Sequence, residues 1–280
     1  MKNNFKNSII FLLYFFLVFQ NVNANEPFIF DVTEIEILEN GNQINGYKGG
    51  TATSEDGSTI SAENFFYNKL TNILETNGNV KYFDKIKNIV ISADKAIYLK
   101  NEEKIFTTGN SKAVNDNNTI TASSLEYDKV NNIFKAKKNA VITDFEKDTT
   151  IYADEISYFK NEEKAYTTGN SKAVNDNNTI TASSLEYDKI NNIFNAKKNA
   201  VAIDFEKDTT IYADEISYFK NKEKVYATGN SKAISENNTI TASILEYNKI
   251  KDIFEAKKNA VANDFEKDTI IYADEISYLK

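Results

Sequence analysis

The sequence predicts an all-β protein: a repetitive, antiparallel ladder of hairpins of about 30 residues each, creased along one line into two sheets. Three observations predict it. The first is a period. Ile151–Tyr158 reads IYADEISY and returns at Ile211–Tyr218 and Ile271–Tyr278, with a looser copy at Ile91–Tyr98. A cousin, ITASSLEY, stands at Ile120–Tyr127 and Ile180–Tyr187, with variants at Ile60–Tyr67 and Ile240–Tyr247. The opening isoleucines fall at 60, 91, 120, 151, 180, 211, 240 and 271, so the steps alternate between 31 and 29. The second is the content of each unit: short β-branched and aromatic runs separated by polar turns such as Asp128-Lys129-Val130-Asn131-Asn132. The third is a slip in the alternation. Ile151 and Ala153 share one face, Ile156 and Tyr158 share one face, and the two pairs are out of phase across Asp154-Glu155. The same break falls at Ser123-Ser124 and Ser183-Ser184. A slip repeated at one point in every unit turns both halves inward only if the ladder folds there.

Taken in order, the chain opens with Lys2 and Lys6, an apolar run from Ile9 to Phe19, and Val22-Asn23-Ala24. This is the layout of a secretory signal over residues 1–24, with an uncleaved anchor as the other reading. Residues 25–59 form a diverged first unit, with turns expected at Glu39-Asn40-Gly41-Asn42 and Gly49-Gly50. The regular repeats occupy residues 60–280. The block 100–159 differs from 160–219 at only six of 60 positions, which reads as an internal duplication of a stackable unit. Gly109-Asn110, Gly169-Asn170 and Gly229-Asn230 interrupt the return strands where the fold line is expected.

Composition narrows the function. The chain has no histidine, cysteine or tryptophan. The commonest general bases, nucleophiles and metal ligands are therefore missing, and we expect no enzyme activity, metal or cofactor. A net charge of −8 argues against nucleic acid as a partner.

The inward stripe holds Ile60, Ala62, Phe65, Tyr67, Ile91, Ala93, Tyr98, Ile120, Ala122, Leu125, Tyr127, Ile151, Ala153, Ile156 and Tyr158. It continues through Ile180, Ala182, Leu185, Ile211, Ala213, Ile216, Ile240, Ala242 and Leu245 to Ile271, Ala273, Ile276 and Tyr278. Two readings stay open. The stripe is the packed core of a secreted structural or adhesive protein, or it lines a lipid groove. Apolar stripes are usually core, which favours the first; two details lean toward the second, the abundance of alanine, which cannot span two sheets about 10 Å apart, and tyrosines, whose polar tips suit a rim.

The pattern I-x-A-D-x-I-x-Y, followed by A-T-G-N at Ala227-Thr228-Gly229-Asn230 and T-I-T-A at the next unit, resembles the OstA-like (organic solvent tolerance) family. The likeness spans roughly residues 29–280. That family includes the periplasmic bridge protein of lipopolysaccharide transport and the N-terminal domain of the outer-membrane lipopolysaccharide assembly protein. The resemblance implies a folded-over jellyroll whose groove shields acyl chains, with the stripe residues as its lining. It implies lipopolysaccharide or a similar glycolipid as ligand, and a place in the periplasm, alone or at the outer membrane. It also implies edge-to-edge stacking with other OstA-like domains or with itself. Each methylene kept from water is worth about 0.8 kcal/mol, so a greasy track needs no catalytic group. The assembly protein continues into a barrel, whereas this sequence stops at Lys280 after the first strand of a unit; a shortened reading frame and an open edge offered to a partner are both consistent with that.

Three features are set aside or left with two readings. Asn117-Asn118-Thr119 reads as a turn rather than a glycan site. Asp154-Glu155 and Asp214-Glu215 resemble calcium ligands but lack a glycine-rich loop, and Lys147, Lys160 and Lys207 suggest solvated ion pairs for them. Lys137-Lys138, Lys197-Lys198 and Lys257-Lys258 either discourage aggregation or meet lipid phosphates at the groove mouth.

Overall fold

The computed structural model describes residues 27–236 and 238–280. The expected signal at 1–24 lies outside the described residues. Twenty strands run from Phe28–Leu38 to Thr269–Leu279, with only three short 3-10 turns between them. Each pass of the chain pairs antiparallel with the next, giving one uninterrupted meander. Among the described residues no helix is long and apolar enough to cross a membrane.

The register shows how the ladder folds. In strand Thr149–Phe159, Ile151 pairs with Ile142 and Ala153 with Ala140. Beyond the break Glu155 pairs with Lys137, Ile156 with Ala136 and Tyr158 with Phe134. Asp154 therefore stands opposite two residues, Lys138 and Asn139. On its other side the pairing resumes across Gly169-Asn170. Two residues against one is a β-bulge, which bends the strand and re-aims its side chains. The bulge residues take left-handed backbone: Lys138 at φ 63°, Asn139 at 54°, Gly169 at 72° and Asn170 at 47°. Asparagine and glycine tolerate that region best, which explains their recurrence there.

The bulges lie on one line and form a crease. Hydrogen bonding is continuous across it: Asp154 N–H donates to Gly169 O (2.9 Å), Gly169 N–H to Ser183 O (3.0 Å) and Ser183 N–H to Lys198 O (3.0 Å). One joint in each 60-residue block is pinned by a side chain. Asn170 Nδ2 donates to Asp154 Oδ2 at 2.9 Å, as Asn110 does to Asp94 and Asn230 to Asp214, both at 3.0 Å. The A-D of one strand and the G-N of the next are thus two halves of one fastening. Asp154 is committed to it, while Glu155 faces Lys137 at 3.9 Å. Lys147, Lys160 and Lys207 lie at the far ends of the strands, so they are not the partners of these acids as the sequence suggested.

Two walls diverge from the crease. The first carries Thr149, Ile151 and Ala153 inward, with Ala140, Ile142 and Asp144 beside them; the second carries Ile156 and Tyr158, with Phe134 and Ala136 beside them. The free ends of the strands form two lips: turns such as 144–148 on the first wall, and turns such as 128–132 and 188–192 on the second. Strand twist shears the walls, so the lips meet out of step. Asn118 on the first lip donates to Tyr158 on the second, 40 residues away, at 3.3 Å. The offset leaves opposite walls bare at the two ends. Ile35 and Ile37, on the inward face of the first strand's second half, are 50% and 63% exposed, and Ile271 in the last strand is 52% exposed.

We expect Gly169→Ala to lower the urea midpoint. A Cβ there would lie 2.2 Å from Asp154 Oδ2 on backbone at φ 72°, a cost of about 1–2 kcal/mol. An unchanged midpoint would show that the crease does not need the glycine.

Candidate functional site

The interior between the walls is the candidate site. All twenty proposed groove residues from Ile91 to Leu245 are buried, none more than 9% exposed, and all but Ala93 join one apolar cluster. They are graded by depth. Ala93, Ala122, Ala153, Ala182, Ala213 and Ala242 lie next to the crease, where converging walls leave room for a methyl only. The isoleucines and leucines come next. Tyr127, Tyr158, Tyr187, Tyr218 and Tyr247 lie under the second lip, with Tyr127 donating to Asn132 (3.2 Å) and Tyr247 to Asp252 (2.7 Å). In the last unit Ile271 is exposed, and Ile276 and Tyr278 only edge the cluster, because no further strand among the described residues covers them.

Sequence reasoning missed the large residues on the return strands. Phe134, Phe194 and Phe254 are buried and stack face to face on Tyr127, Tyr187 and Tyr247, with ring centroids 4.5, 4.5 and 4.2 Å apart. Such pairs contribute about 0.5–1.5 kcal/mol each beyond area burial. The signal was the recurring I-F-x-A at 60-residue spacing, Ile133-Phe134, Ile193-Phe194 and Ile253-Phe254. With these rings the walls touch. The cavities between them are small: about 20 Å³ around Ala202, Tyr218 and Tyr247, and about 10 Å³ around Ile142, Tyr158 and Tyr187. Each is the size of about one water molecule, so the trough is closed in this structure.

A row of lysines holds it shut. Lys129, Lys189 and Lys249 project from turns of the second lip, with side chains only 8–10% exposed. Lys189 Nζ lies 3.4 Å from Asp144 and 3.2 Å from Glu146 on the first lip. Lys249 Nζ lies 3.0 Å from Asp204 on the first lip and 3.0 Å from Glu223 on its own. Lys129 meets Asp56 across the mouth and Glu103 at 3.4 Å. Between them Lys160 pairs with Asp116 (3.0 Å), Lys220 with Asp176 (3.1 Å) and Lys280 with Glu236 (3.8 Å). Lys160 and Lys220 also donate to the carbonyls of Lys87 and Lys147. The series 100, 129, 160, 189, 220, 249, 280 follows the 29/31 alternation of the isoleucines, so its regularity was visible in the sequence although its partners were not.

Lys137-Lys138, Lys197-Lys198 and Lys257-Lys258 are elsewhere. Their side chains are exposed on the crease bulges. They cannot meet phosphates at the mouth, since a bulge puts them on the closed back of the fold.

The mouth has no backbone ladder. Among the described residues every bond between the lips involves a side chain. The buried carboxamide oxygens of Asn115, Asn175 and Asn238 lie on the first lip.

The charges of the mouth are tuned to one another. Burial works against Lys189 and Lys249, but hydrogen bonds to their carboxylates outweigh it and both pKa values are raised. Burial likewise opposes ionisation of Asp56 and Glu103, yet bonds to Lys129, Lys100 and neighbouring hydroxyls hold both low. Burial pushes the Tyr218 phenol up to about 12, with Lys249 opposing and Glu223 assisting the shift.

The sign of each shift sets the pH window. Carboxylates with lowered pKa stabilise the fold above their ordinary range near 4 and lose that contribution as pH falls; the tyrosine and the lysines stabilise it below about 10 and lose it as pH rises. We expect stability to be flat between about pH 5 and 9, and to fall on both sides. The alkaline loss should accompany tyrosine ionisation in an ultraviolet titration. Free titration of the tyrosines near 10 in the folded protein would contradict the buried rim.

The family model described as OstA-like protein matches residues 29–148. No curated protein matches. Among solved structures, one similar chain is the crystal structure of LptH, the LptA homologous periplasmic component of the conserved lipopolysaccharide transport device from Pseudomonas aeruginosa. It is 16% identical, covers 58% of this chain and 94% of that one, and overlays with a TM-score of 0.25. Apo AztD from Citrobacter koseri is 9% identical, covers 87% of this chain and 85% of that one, and overlays with a TM-score of 0.16. Neither overlay is close enough to carry an argument. The family match does: the chain carries an OstA-like domain at residues 29–148, and the same ladder runs on from it to Leu279.

Proposed function

We propose that this protein is a periplasmic carrier in lipopolysaccharide transport or assembly. The acyl chains of lipopolysaccharide, or of a similar glycolipid, bind between the two walls when the lips part, and the sugars stay in water. The observation that carries this reading is the unequal joining of the walls. At the crease they share a continuous backbone ladder; at the mouth they are joined by side chains alone. A fold held this way opens along one line without losing its sheet. The interior it would expose is apolar from Ile60 to Leu245, and the OstA-like match supports the same role. The bare ends fit stacking with other OstA-like domains or with itself: the first and last strands each lack a partner on one side among the described residues. Nothing in this role requires a bond to be made or broken.

The closed interior favours one other reading, a secreted structural or adhesive repeat protein with a permanent core. Uptake of parinaric acid, a fluorescent fatty acid, separates the two. We expect slow, saturable uptake that speeds several-fold in Lys189→Gln plus Lys249→Gln and in raised salt. Lys197→Gln plus Lys198→Gln, on the crease, should leave the rate unchanged. Absence of uptake in all variants would leave only the structural role. Equal acceleration by both pairs would show that the mouth is not the point of entry.

A further inference from the structure

The repeats are almost identical, but one inward position of the first wall takes three different residues. At 60-residue intervals it holds Tyr82, Ile142, Ala202 and Ala262. All four are buried and lie two residues before the end of their strands, at the same depth in the trough. The space opposite changes with them. The cavity beside Ile142 is about 10 Å³ and that beside Ala202 about 20 Å³. At the first position a phenol ring fills it: Tyr82 crosses to Tyr98 on the second wall, ring centroids 6.3 Å apart at 63°, and its hydroxyl reaches Ser58 at 3.4 Å.

The N-terminal end is filled in other ways too. Phe28, on the first wall, meets Tyr67 and Tyr98 of the second edge to face at 5.2 and 5.7 Å. Phe30 meets Phe65 in the same fashion at 6.2 Å. Further along, the rings lie flat along one wall, at interplanar angles of 13–14° in the closest pairs. Rings that bridge two walls fasten them together; rings stacked along one wall leave the other free to move away.

We infer that the trough is blind at its N-terminal end. The bridging aromatics, with Tyr82 at their inner limit, form a plug. The acyl-binding segment begins beyond it, around Ile142, and is wider at Ala202. The amphiphile therefore enters and leaves along the mouth or at the end of strand Thr269–Leu279, and does not pass through the whole ladder. This rests on the carrier reading of the same interior.

The absence of tryptophan makes a local test possible with the full chain. Tyr82→Trp and Tyr218→Trp are made separately, each conservative in shape, and titrated with a brominated stearic acid, whose bromines quench indole on contact. Circular dichroism checks that both variants fold. We expect more than twofold quenching for Tyr218→Trp, beside the larger cavity, and none for Tyr82→Trp. A complementary variant, Ile142→Ala, copies the natural residue at Ala202 and should raise the amount of fatty acid bound, whereas Ala202→Phe should lower it at least twofold. Equal quenching at both indoles, or binding indifferent to Ile142→Ala and Ala202→Phe, overturns the blind end while leaving the carrier intact. No quenching at either site, with no binding by the unsubstituted protein, overturns the carrier reading and the plug together.

Discussion

Everything in this molecule depends on a two-against-one mismatch repeated at the same place in each pass of the chain. A β-strand alternates its side chains, so a straight ladder with this sequence would show half its isoleucines to water. The bulge opposite Asp154, and at every equivalent position, inverts the phase and bends the ladder in one stroke. Both halves then face inward. Because Asp154, Gly169 and Ser183 still exchange backbone bonds along the line, the bend breaks no ladder and exposes no edge. Asp and Asn side chains clamp it, and a left-handed Gly-Asn or Lys-Asn pair supplies the extra residue.

The opposite margin is built on other terms. The lips meet three strands out of step, so no backbone ladder can close between them. Long lysine side chains reach across and find carboxylates and turn carbonyls. Exposed ion pairs are worth little, but these side chains are nearly buried and linked through shared acids, which is the situation in which they count.

Much of this was legible in the residues. The period, the phase slip at Asp154-Glu155 and the glycine-asparagine pairs foretold the crease, because strand alternation has a period of two and any break in it shows. The inward stripe was legible for the same reason. The lip pairs were not. Lys189 and Asp144 are 45 residues apart, and their meeting depends on the shear between walls, which no local pattern encodes. Lys137-Lys138 left two readings open because a pair of lysines in a strand does not announce that a bulge will carry it to the back. Phe134 was hidden because its strand keeps alternation for only a few residues before the bulge. Whether the walls touch turns on the angle at the crease and on rings contributed by neighbouring passes, so the alanine content alone pointed to a wider interior than the closed one observed.

On the carrier reading the walls swing apart at the mouth about a crease that stays intact. A cysteine-free chain allows it to be observed with two spin labels, placed by Phe145→Cys and Ile190→Cys on exposed turn tips beside Asp144 and Lys189. A second pair, Lys138→Cys and Lys198→Cys, reports on the crease. The distance distributions should be compared with and without bound oleate. The account predicts a longer and broader distance between the lips with oleate bound, and no change at the crease. An unaltered distance between the lips while oleate is bound would contradict it.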